Sequence, residues 1–394
     1  MSYRLFLLVF IDLLFLLYGV STISISAKEA EIFYEHKDFL HYLIRWSTSL
    51  LGQNDYSLRL PFILFHIGGV FLLYDISGYY LKSEKEKLLT IVLFMLLPGV
   101  LSASLIVNSS SITIFFTLLF IKLFYEDKKI FYYPLLFLLL FINNSFEILY
   151  LGLFAYAVYT NNKKLAVVSS LLFLIVLYIY GFDSGGHPRG FFLDTLAMYA
   201  LVFSPLVFLY YFYTMYRIIF KGEKTLLWFV SFTALMLSVV LSFRQRIPLS
   251  DFAPYAVIAL PIVVQYFIKS YKVKLKVFRK PYNISLGLTI LFLILNFLLT
   301  YFNKNLYYIL KDPQMHFAKK FHIAKELAYK LKDENINYIS CKDKKLCLRL
   351  KFYGLDMGNK YFIEKKKSLT SCKKVTISYN SIPIAHYYVS NLHN

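Results

Sequence analysis

The chain consists largely of apolar segments separated by short polar breaks, and this pattern limits its fold more than any other feature. A membrane helix needs roughly 20 mostly apolar residues, within a range of about 17–25. Apolar residues make up 58% of the chain and charged residues only 17%, against about 25% in soluble domains. This composition excludes an ordinary soluble domain and a disordered chain. We therefore predict an all-α polytopic membrane protein with spans near residues 4–24, 60–80, 87–107, 112–125, 130–142, 148–160, 165–181, 193–219, 225–243, 252–268 and 282–302.

The distribution of lysine and arginine predicts the orientation of these eleven spans. With a cytoplasmic N-terminus, five basic loops fall inside, whereas the outer turns 108–111 and 143–147 contain no lysine or arginine. This is the positive-inside pattern, so we expect a multi-pass membrane protein with a cytoplasmic N-terminus and an extracytoplasmic C-terminus. Merging the short fifth and sixth segments would leave ten spans and place the most basic loop outside. The five inner loops are 82–87, 128–129, 163–164, 221–224 and 269–280.

The net charge of +20 is explained by such loops facing anionic lipid, so we expect membrane lipid and no nucleic acid as a partner. Two domains are predicted, a transmembrane domain over 1–302 and a small basic α/β domain over 303–394. In the second, a helix is expected at 316–332, with strands at 335–340 and 375–379.

Three cysteines, Cys341, Cys347 and Cys372, lie in this C-terminal domain. In an oxidising compartment two of them can form a disulfide, which leaves the third. The sequence leaves the pairing open.

The first outer loop, residues 25–59, is richer in polar and aromatic residues than a plain connector. Its apolar positions predict an amphipathic helix suited to the membrane interface, formed by Phe39, Leu40, Leu43, Ile44, Trp46 and Leu50. Acidic residues precede this helix. In a helical conformation Glu31 and Glu35 share one face because they are four residues apart.

Two further outer segments contain basic residues on the side where the charge rule disfavours them. His187 and Arg189 lie in the glycine-rich segment 181–192, and Arg244 and Arg246 lie in a short turn before a span. A third unusual charge is Asp12 inside the first span, where a carboxylate is a functional candidate, although its position near the inner end favours simple hydration.

Four stretches, taken in order, resemble the motifs of one enzyme group. Lys28-Glu29-Ala30 stands near a D-E-A type motif, and residues 37–43 resemble K-P-P-L-x-Y-W. Residues 51–61, L-G-Q-N-D-Y-S-L-R-L-P, resemble L-F-G-x-N-E-x-x-x-R-L-P and are the closest match. Residues 243–255 resemble a basic turn rich in tyrosine and proline that precedes a span. In this order the motifs resemble those of GT-C fold glycosyltransferases, specifically the protein-mannosyltransferase-like and aminoarabinose-transferase-like enzymes.

This resemblance implies a glycosyltransferase of a bacterial inner membrane that moves a sugar from a polyprenyl-phosphate donor to a lipid, glycan or protein acceptor on the extracytoplasmic face. It implies a catalytic carboxylate, supplied here by Glu29 or Glu31, and basic residues that bind the donor phosphate. Lys37, Arg244 and Arg246 would bind that phosphate. No cofactor is certain, and a divalent metal is compatible with the carboxylates. Possible loop contacts are Tyr42, Arg59, His187 and Arg189.

Each of these residues also has a simpler structural interpretation. Acidic residues in an outer loop are usually solvated, and Lys37 at the start of an interfacial helix is often a membrane anchor. Arg59 before Leu60-Pro61 would orient the second span. His187 and Arg189 would belong to a flexible connector.

The chain departs from the family pattern at four places, one of which is a much shortened stretch between the two parts of the first outer loop. The leading acidic residue of the family is Lys28 here, and the proline pair is Asp38-Phe39. The family's Asp before the fourth helix is missing from 107–111. These departures make the chain a divergent enzyme or an inactive GT-C-like scaffold protein. A second alternative, a transporter or flippase for lipid-linked glycan, predicts internal repeats and several intramembrane charges, which the sequence does not display.

Overall fold

The computed structural model describes residues 2–181, 190–365 and 372–391. The chain is mostly helical, with a small sheet in its C-terminal part. The helices are α1 (Tyr3–Thr22), α2 (Ala27–Tyr34), α3 (Phe39–Leu51), α4 (Asp55–Tyr80), α5 (Glu84–Leu96), α6 (Pro98–Leu105), α7 (Ser110–Tyr125), α8 (Lys129–Leu139), α9 (Phe146–Tyr159), α10 (Lys163–Tyr180), α11 (Phe192–Phe203), α12 (Pro205–Lys221), α13 (Leu226–Ser242), α14 (Leu249–Val257), α15 (Leu260–Val273), α16 (Lys280–Tyr301), α17 (Ala324–Asp333) and α18 (Lys344–Phe352). The strands are β1 (Tyr338–Cys341), β2 (Asp356–Met357), β3 (Tyr361–Glu364), β4 (Lys373–Tyr379) and β5 (Ile382–Asn391).

Every one of the eleven predicted spans coincides with a helix or with a pair of helices. In the described residues, α1, α4, α10 and the segment containing α16 are each long and apolar enough to cross a membrane. Three bent pairs, α5–α6, α11–α12 and α14–α15, raise this number to seven. The remaining apolar helices, α7, α8, α9 and α13, have 10–17 residues. Four to seven spans thus follow from length and composition, and the predicted number of eleven requires these shorter helices as well.

The bends have identifiable causes in the backbone. The predicted span at 193–219 is two helices, α11 and α12, that meet at an angle of 110°. Ser204 between them has a left-handed φ of 72°, and Pro205 begins α12 without an N–H to continue the ladder of α11. Pro98 likewise begins α6 after a bend of 61°.

The chain divides into two compact units. The helical unit comprises Met1–Leu13, Phe62–Ser104 and Asn108–Phe297, and the mixed unit comprises Leu14–Pro61, Leu105–Val107 and Leu298–Asn394. In the mixed unit the first outer loop thus belongs with the C-terminal domain.

The core of the helical unit is formed where α9 packs against α10 and α13, and where α13 packs against α14. Gly152 of α9 allows the closest approach, because a Cβ at this position would lie 2.9 Å from the Cα of Val230 in α13. Asp12 is buried in this unit and lies 2.8 Å from His66 Nε2. The sequence alone had favoured a hydrated Asp12, but the carboxylate is buried and paired with His66.

The C-terminal part of the mixed unit contains a five-stranded sheet in the order β2-β1-β3-β5-β4. Strand β1 is parallel to β2 and β3, whereas β5 is antiparallel to β3 and β4. The buried faces of α17 and α18 cover this sheet with residues such as Leu327, Leu331 and Leu350. The predicted small α/β domain is thus present. The predicted strand at 335–340 corresponds to β1, and 375–379 lies within β4.

The helix predicted at 316–332 begins later, at Ala324, and short 3-10 turns precede it. Tertiary contacts of His316 explain the difference. Its Nδ1 accepts the N–H of Ala318 at 3.0 Å, and its ring stacks on Tyr307 with the centroids 4.2 Å apart. These contacts hold the backbone in a turn that helical periodicity cannot predict.

A disulfide joins Cys341 at the end of β1 to Cys347 in α18. Cys372 is the cysteine that remains outside this bond. The sequence had left open which pair would bridge.

Candidate functional site

The first outer loop begins with a capped helix whose sequence explains its start. Ser26 precedes α2, and its side-chain oxygen accepts the N–H of Glu29 at 3.2 Å. The Glu29 carboxylate accepts the N–H of Ser26 at 2.7 Å in return. This is a capping box, whose signature is a serine followed three residues later by a glutamate. The sequence S-A-K-E displays this signature, which indicates that the Glu29 side chain accepts a backbone N–H.

Glu29 is completely buried, and four donors fill its carboxylate. Besides the Ser26 N–H, these are Arg59 Nε at 3.2 Å, Arg59 Nη2 at 3.0 Å and the Val107 N–H at 3.0 Å. Burial raises the pKa of Glu29, but the charge of Arg59 and these hydrogen bonds outweigh burial and lower the pKa overall. Glu29 is therefore an ionised carboxylate without a free lone pair aimed at solvent.

Arg59 is the buried partner that joins α4 to the outer loop. Its guanidinium binds Glu29 through two nitrogens, the geometry in which arginine binds carboxylate best. The remaining donors reach the carbonyls of Ile23 and Ser24, each at 3.2 Å. Arg59 thus fixes the chain between α1 and α2 to the start of α4.

Asp55 extends this buried group of charges to the C-terminal domain. It lies 3.7 Å from Arg59 and accepts the hydroxyl of Tyr353 at 2.7 Å. Lys325 of α17 approaches its other oxygen at 2.9 Å. Two carboxylates therefore face two cations, Arg59 and Lys325, so the cluster is balanced in charge.

Helix α18 makes the second connection between the loop and the C-terminal domain. Arg349 is buried, and its Nε donates to the carbonyl of Ile25 at 2.8 Å, while its Nη2 donates to the carbonyl of Lys320. Gln53 donates to the carbonyl of Phe352 at 2.7 Å. Residues of the loop and of the C-terminal domain are thus hydrogen-bonded at several places, none of which sequence reasoning identified.

Glu31 differs from Glu29 in its exposure. Its side chain keeps 24% of its surface accessible and pairs with Lys345 at 2.9 Å. A hydrogen bond from this lysine to Glu31 raises the pKa of Lys345. Glu35, one turn further, pairs in the same way with Lys344 at 3.0 Å. Glu31 is therefore the carboxylate of the sequence-predicted pair that a solute can reach.

Lys37 lies exposed in the loop between α2 and α3, just before Asp38 caps α3. Helix α3 buries Ile44 and presents a broad exposed apolar face. Tyr42 is 62% exposed and Trp46 is 64% exposed, which suits a membrane surface better than water. The exposed apolar residues of this face are Tyr42, Trp46, Leu50 and Leu51.

The other predicted site residues lie elsewhere. Arg244 and Arg246 belong to the helical unit, in the turn between α13 and α14, and both are exposed. His187 and Arg189 lie outside the described residues. Within the described part of the chain, no group of three or more His, Cys, Asp or Glu side chains is placed to hold a metal ion.

Comparisons of this chain with protein-family models, with curated protein sequences and with solved structures give no match. The fold defines a mostly helical chain with several helices apolar enough to span a membrane and with a small C-terminal sheet domain. Function is therefore inferred from the residues of the site.

Proposed function

We propose that this chain is a multi-pass membrane glycosyltransferase that moves a sugar from a polyprenyl-phosphate donor to a lipid, glycan or protein acceptor on the extracytoplasmic face. The observation that supports this proposal most is the contact between Glu29 and Arg59. It brings together the K-E-A motif and the R-L-P motif, which are 30 residues apart in sequence. Two of the four motif-like stretches are thus in direct contact in the folded chain.

In this proposal Glu29 is a positioning residue and Glu31 is the catalytic carboxylate. A general base needs a free lone pair and a pKa that favours taking a proton. Glu29 offers neither, because four donors fill its oxygens and its pKa is lowered. Glu31 is held by the same short helix and is accessible, and its ion-pair partner among the described residues is the exposed side chain of Lys345.

The transfer has one bond-forming and one bond-breaking event. The acceptor oxygen bonds to the anomeric carbon, the bond from that carbon to the phosphate oxygen breaks, and the phosphate leaves with the electron pair. Glu31 takes the proton of the acceptor hydroxyl. Lys37, which lies in the same unit as Glu31, offsets the negative charge on the departing phosphate.

Exposed apolar residues support placing this chemistry at a membrane surface. The donor lipid has a long hydrocarbon tail that stays in the bilayer, so its phosphate is confined to the interface. Helix α3, with Trp46 and Leu50 exposed, lies in the same loop as Glu31 and Lys37. We place the proposed enzyme in a bacterial inner membrane with its N-terminus in the cytoplasm, because of the motif resemblance and the distribution of basic loops.

A scaffold protein without transferase activity is the second candidate. The observation that favours it is Lys28, which is exposed at the position of the family's leading acidic residue. The neighbouring Glu29 is used for structure. A scaffold would keep the buried cluster and need no reactive carboxylate.

The release of free polyprenyl phosphate separates the two candidates without knowledge of the sugar. Purified protein is mixed with the polyprenyl-phosphate-sugar fraction and the membrane extract of the producing cells, and release is followed by mass spectrometry. Glu31→Gln is expected to lower the rate by about 10²–10⁴-fold. Glu35→Gln, which removes the equivalent carboxylate paired with Lys344, is the matched control and should leave the rate within about twofold.

Wild-type rate in the Glu31→Gln variant would reject Glu31 as the catalytic carboxylate. No release by the wild-type protein, together with no binding of added undecaprenyl phosphate, would favour the scaffold.

A further inference from the structure

A groove runs along helix α16 in the helical unit, at the opposite end of that helix from the C-terminal domain. A cavity of about 310 Å³ lies between α16 and the helices α5, α12 and α15. Its walls are almost entirely apolar, with Leu89, Leu93, Leu209, Phe267 and Leu286 among them. A second cavity of about 590 Å³ follows toward the start of α16. Leu206 and Ser285 line both, so the two adjoin.

Helix α16 leaves this space because it packs loosely. Only 11% of the apolar window that contains it is buried, less than in any other candidate span of the described residues. Protein interiors are packed as densely as organic crystals, and an apolar void of this size in a bilayer is filled by hydrocarbon. A lipid chain has the shape and polarity of the groove.

The end of the groove is basic and amphipathic. Lys280 lines the second cavity, and Lys276 lies exposed one turn before it. Two exposed apolar residues lie between these lysines, Val277 at 81% and Phe278 at 60% exposure. Such a segment lies in the headgroup region with its apolar side chains in the bilayer and its lysines at the surface.

The nearby charged side chains leave these two lysines available. Glu86 is paired with Lys272 at 2.8 Å, and Arg279 donates to the carbonyls of Lys274 and Lys272. Within the described residues, no ion pair is formed by Lys276 or Lys280. Two unneutralised cations at the mouth of an apolar groove complement one anionic headgroup on one hydrocarbon chain.

We propose that this groove binds a membrane phospholipid with an anionic headgroup, with an acyl chain between α16 and α12 and the phosphate at Lys276 and Lys280. The loop 269–280 is cytoplasmic in the predicted topology, so the lipid belongs to the cytoplasmic leaflet. This site shares no residue with the proposed transferase chemistry and is independent of it.

Native mass spectrometry of the full-length protein, released from nanodiscs of phosphatidylglycerol and phosphatidylcholine in equal amounts, tests the proposal. The wild-type protein is expected to retain phosphatidylglycerol in preference. Lys276→Gln with Lys280→Gln should weaken this retention roughly fivefold for each lysine removed. The pair Lys163→Gln with Lys164→Gln, which removes the same charge from another exposed basic loop, should leave it unchanged.

A second pair of variants tests the groove itself. Ser285→Trp places a large ring where the two cavities adjoin and should abolish retention. Leu295→Trp adds the same ring on α16 at an exposed position outside both cavities, and should bind as the wild type does. Equal retention of both lipids, or retention by Ser285→Trp, overturns the site. Displacement of phosphatidylglycerol by an equal amount of undecaprenyl phosphate overturns the assigned occupant.

Discussion

Replacing Glu29 by glutamine should destabilise the protein far more than replacing any exposed carboxylate of the same loop. The carboxylate is completely buried and receives four hydrogen bonds from Arg59, Ser26 and Val107. Glutamine has nearly the same shape, but its amide NH₂ would face N–H donors. Arg59 would then keep Asp55, 3.7 Å away, as its nearest negatively charged partner. Removing one partner of a buried ion pair costs about 3–5 kcal/mol.

This cost can be converted into a melting temperature. For a cooperative unit of about 150 residues, 1 kcal/mol shifts Tm by about 2–4 °C, so Glu29→Gln should lower Tm by roughly 6–20 °C. The assay is thermal unfolding of the full-length protein in detergent, at one fixed scan rate because membrane proteins often unfold irreversibly. Glu35→Gln is the control, since exposed ion pairs contribute about 0–1 kcal/mol.

The acid side of the stability profile gives an independent check. The folded-state pKa of Glu29 is lowered, so its contribution is present above the ordinary carboxyl pKa and is lost as pH falls through the lowered value. The Tm difference between the wild type and Glu29→Gln should therefore narrow in acid. A Tm within about 2 °C of the wild type at neutral pH would refute the reasoning. So would a double-mutant cycle with Arg59→Gln whose coupling energy is below about 1 kcal/mol.

Three further outcomes are expected. Burial, with Lys304 and His316 nearby, lowers the pKa of His322 to about 3, so between pH 6.5 and pH 3 the unfolded protein binds a proton at this residue that the folded protein does not. The free energy of unfolding should therefore decrease by about 1 kcal/mol for each unit that the pH falls in this range. His322→Asn should flatten this slope in a series of Tm measurements against pH. Cys347→Ala removes the disulfide with Cys341, and it should lower Tm and raise the rate of hydrogen exchange in α18 relative to the oxidised wild type. An unchanged exchange rate would contradict a stabilising role of the disulfide. Polyprenyl phosphate that co-purifies with the wild type should be lost when Arg244 and Arg246 are both alanine, and its retention would exclude them as the phosphate-binding residues that the motif resemblance implies.

Local patterns in the sequence predicted the helices because each apolar run or capping residue acts within a few neighbours. The serine-to-glutamate spacing at Ser26 and Glu29 is such a signal, and so is the amphipathic pattern of α3. The break at Ser204-Pro205 also had a local sign, since proline ends the ladder of the preceding helix. Its consequence, a bend of 110°, depends on how α11 and α12 pack and could not be predicted.

The burial of Glu29 was beyond the sequence for a different reason. It depends on Val107, which is 78 residues away, and Asp55 depends on Tyr353, which is 298 residues away. No periodicity links residues at such separations. Strand β5 was missed because its hairpin turn, Asn380-Ser381, has two left-handed φ angles on residues other than glycine. The pairing of the cysteines likewise depends on tertiary structure, because α18 packs against β1 and so brings Cys347 close to Cys341.

Contacts between the outer loop and the C-terminal domain limit the topology in a membrane. Both belong to the mixed unit and are joined through buried hydrogen bonds, such as that of Tyr353 to Asp55. If the apolar helices span a membrane, two segments joined in this way lie on the same side of it, and the chain between residues 59 and 303 crosses it an even number of times. The predicted eleven spans satisfy this, because ten of them follow the outer loop. The seven candidate spans counted by length satisfy it too, because six follow that loop.

The number of crossings between residues 59 and 303 becomes odd if one predicted span does not cross, so the bend at α11–α12 determines whether the parity argument holds. If that pair turns back without crossing while every other predicted span crosses, nine crossings remain and the loop and C-terminal domain would lie on opposite sides. In a Cys372→Ser background, labelling with a membrane-impermeant thiol reagent should therefore reach Lys37→Cys and Lys360→Cys from the same side of sealed vesicles. Lys274→Cys, in the basic loop before α16, should be reached only from the other side, because a single span separates it from the C-terminal domain. Labelling of Lys37→Cys and Lys360→Cys from opposite sides would contradict both the parity argument and the buried contacts from which it is drawn.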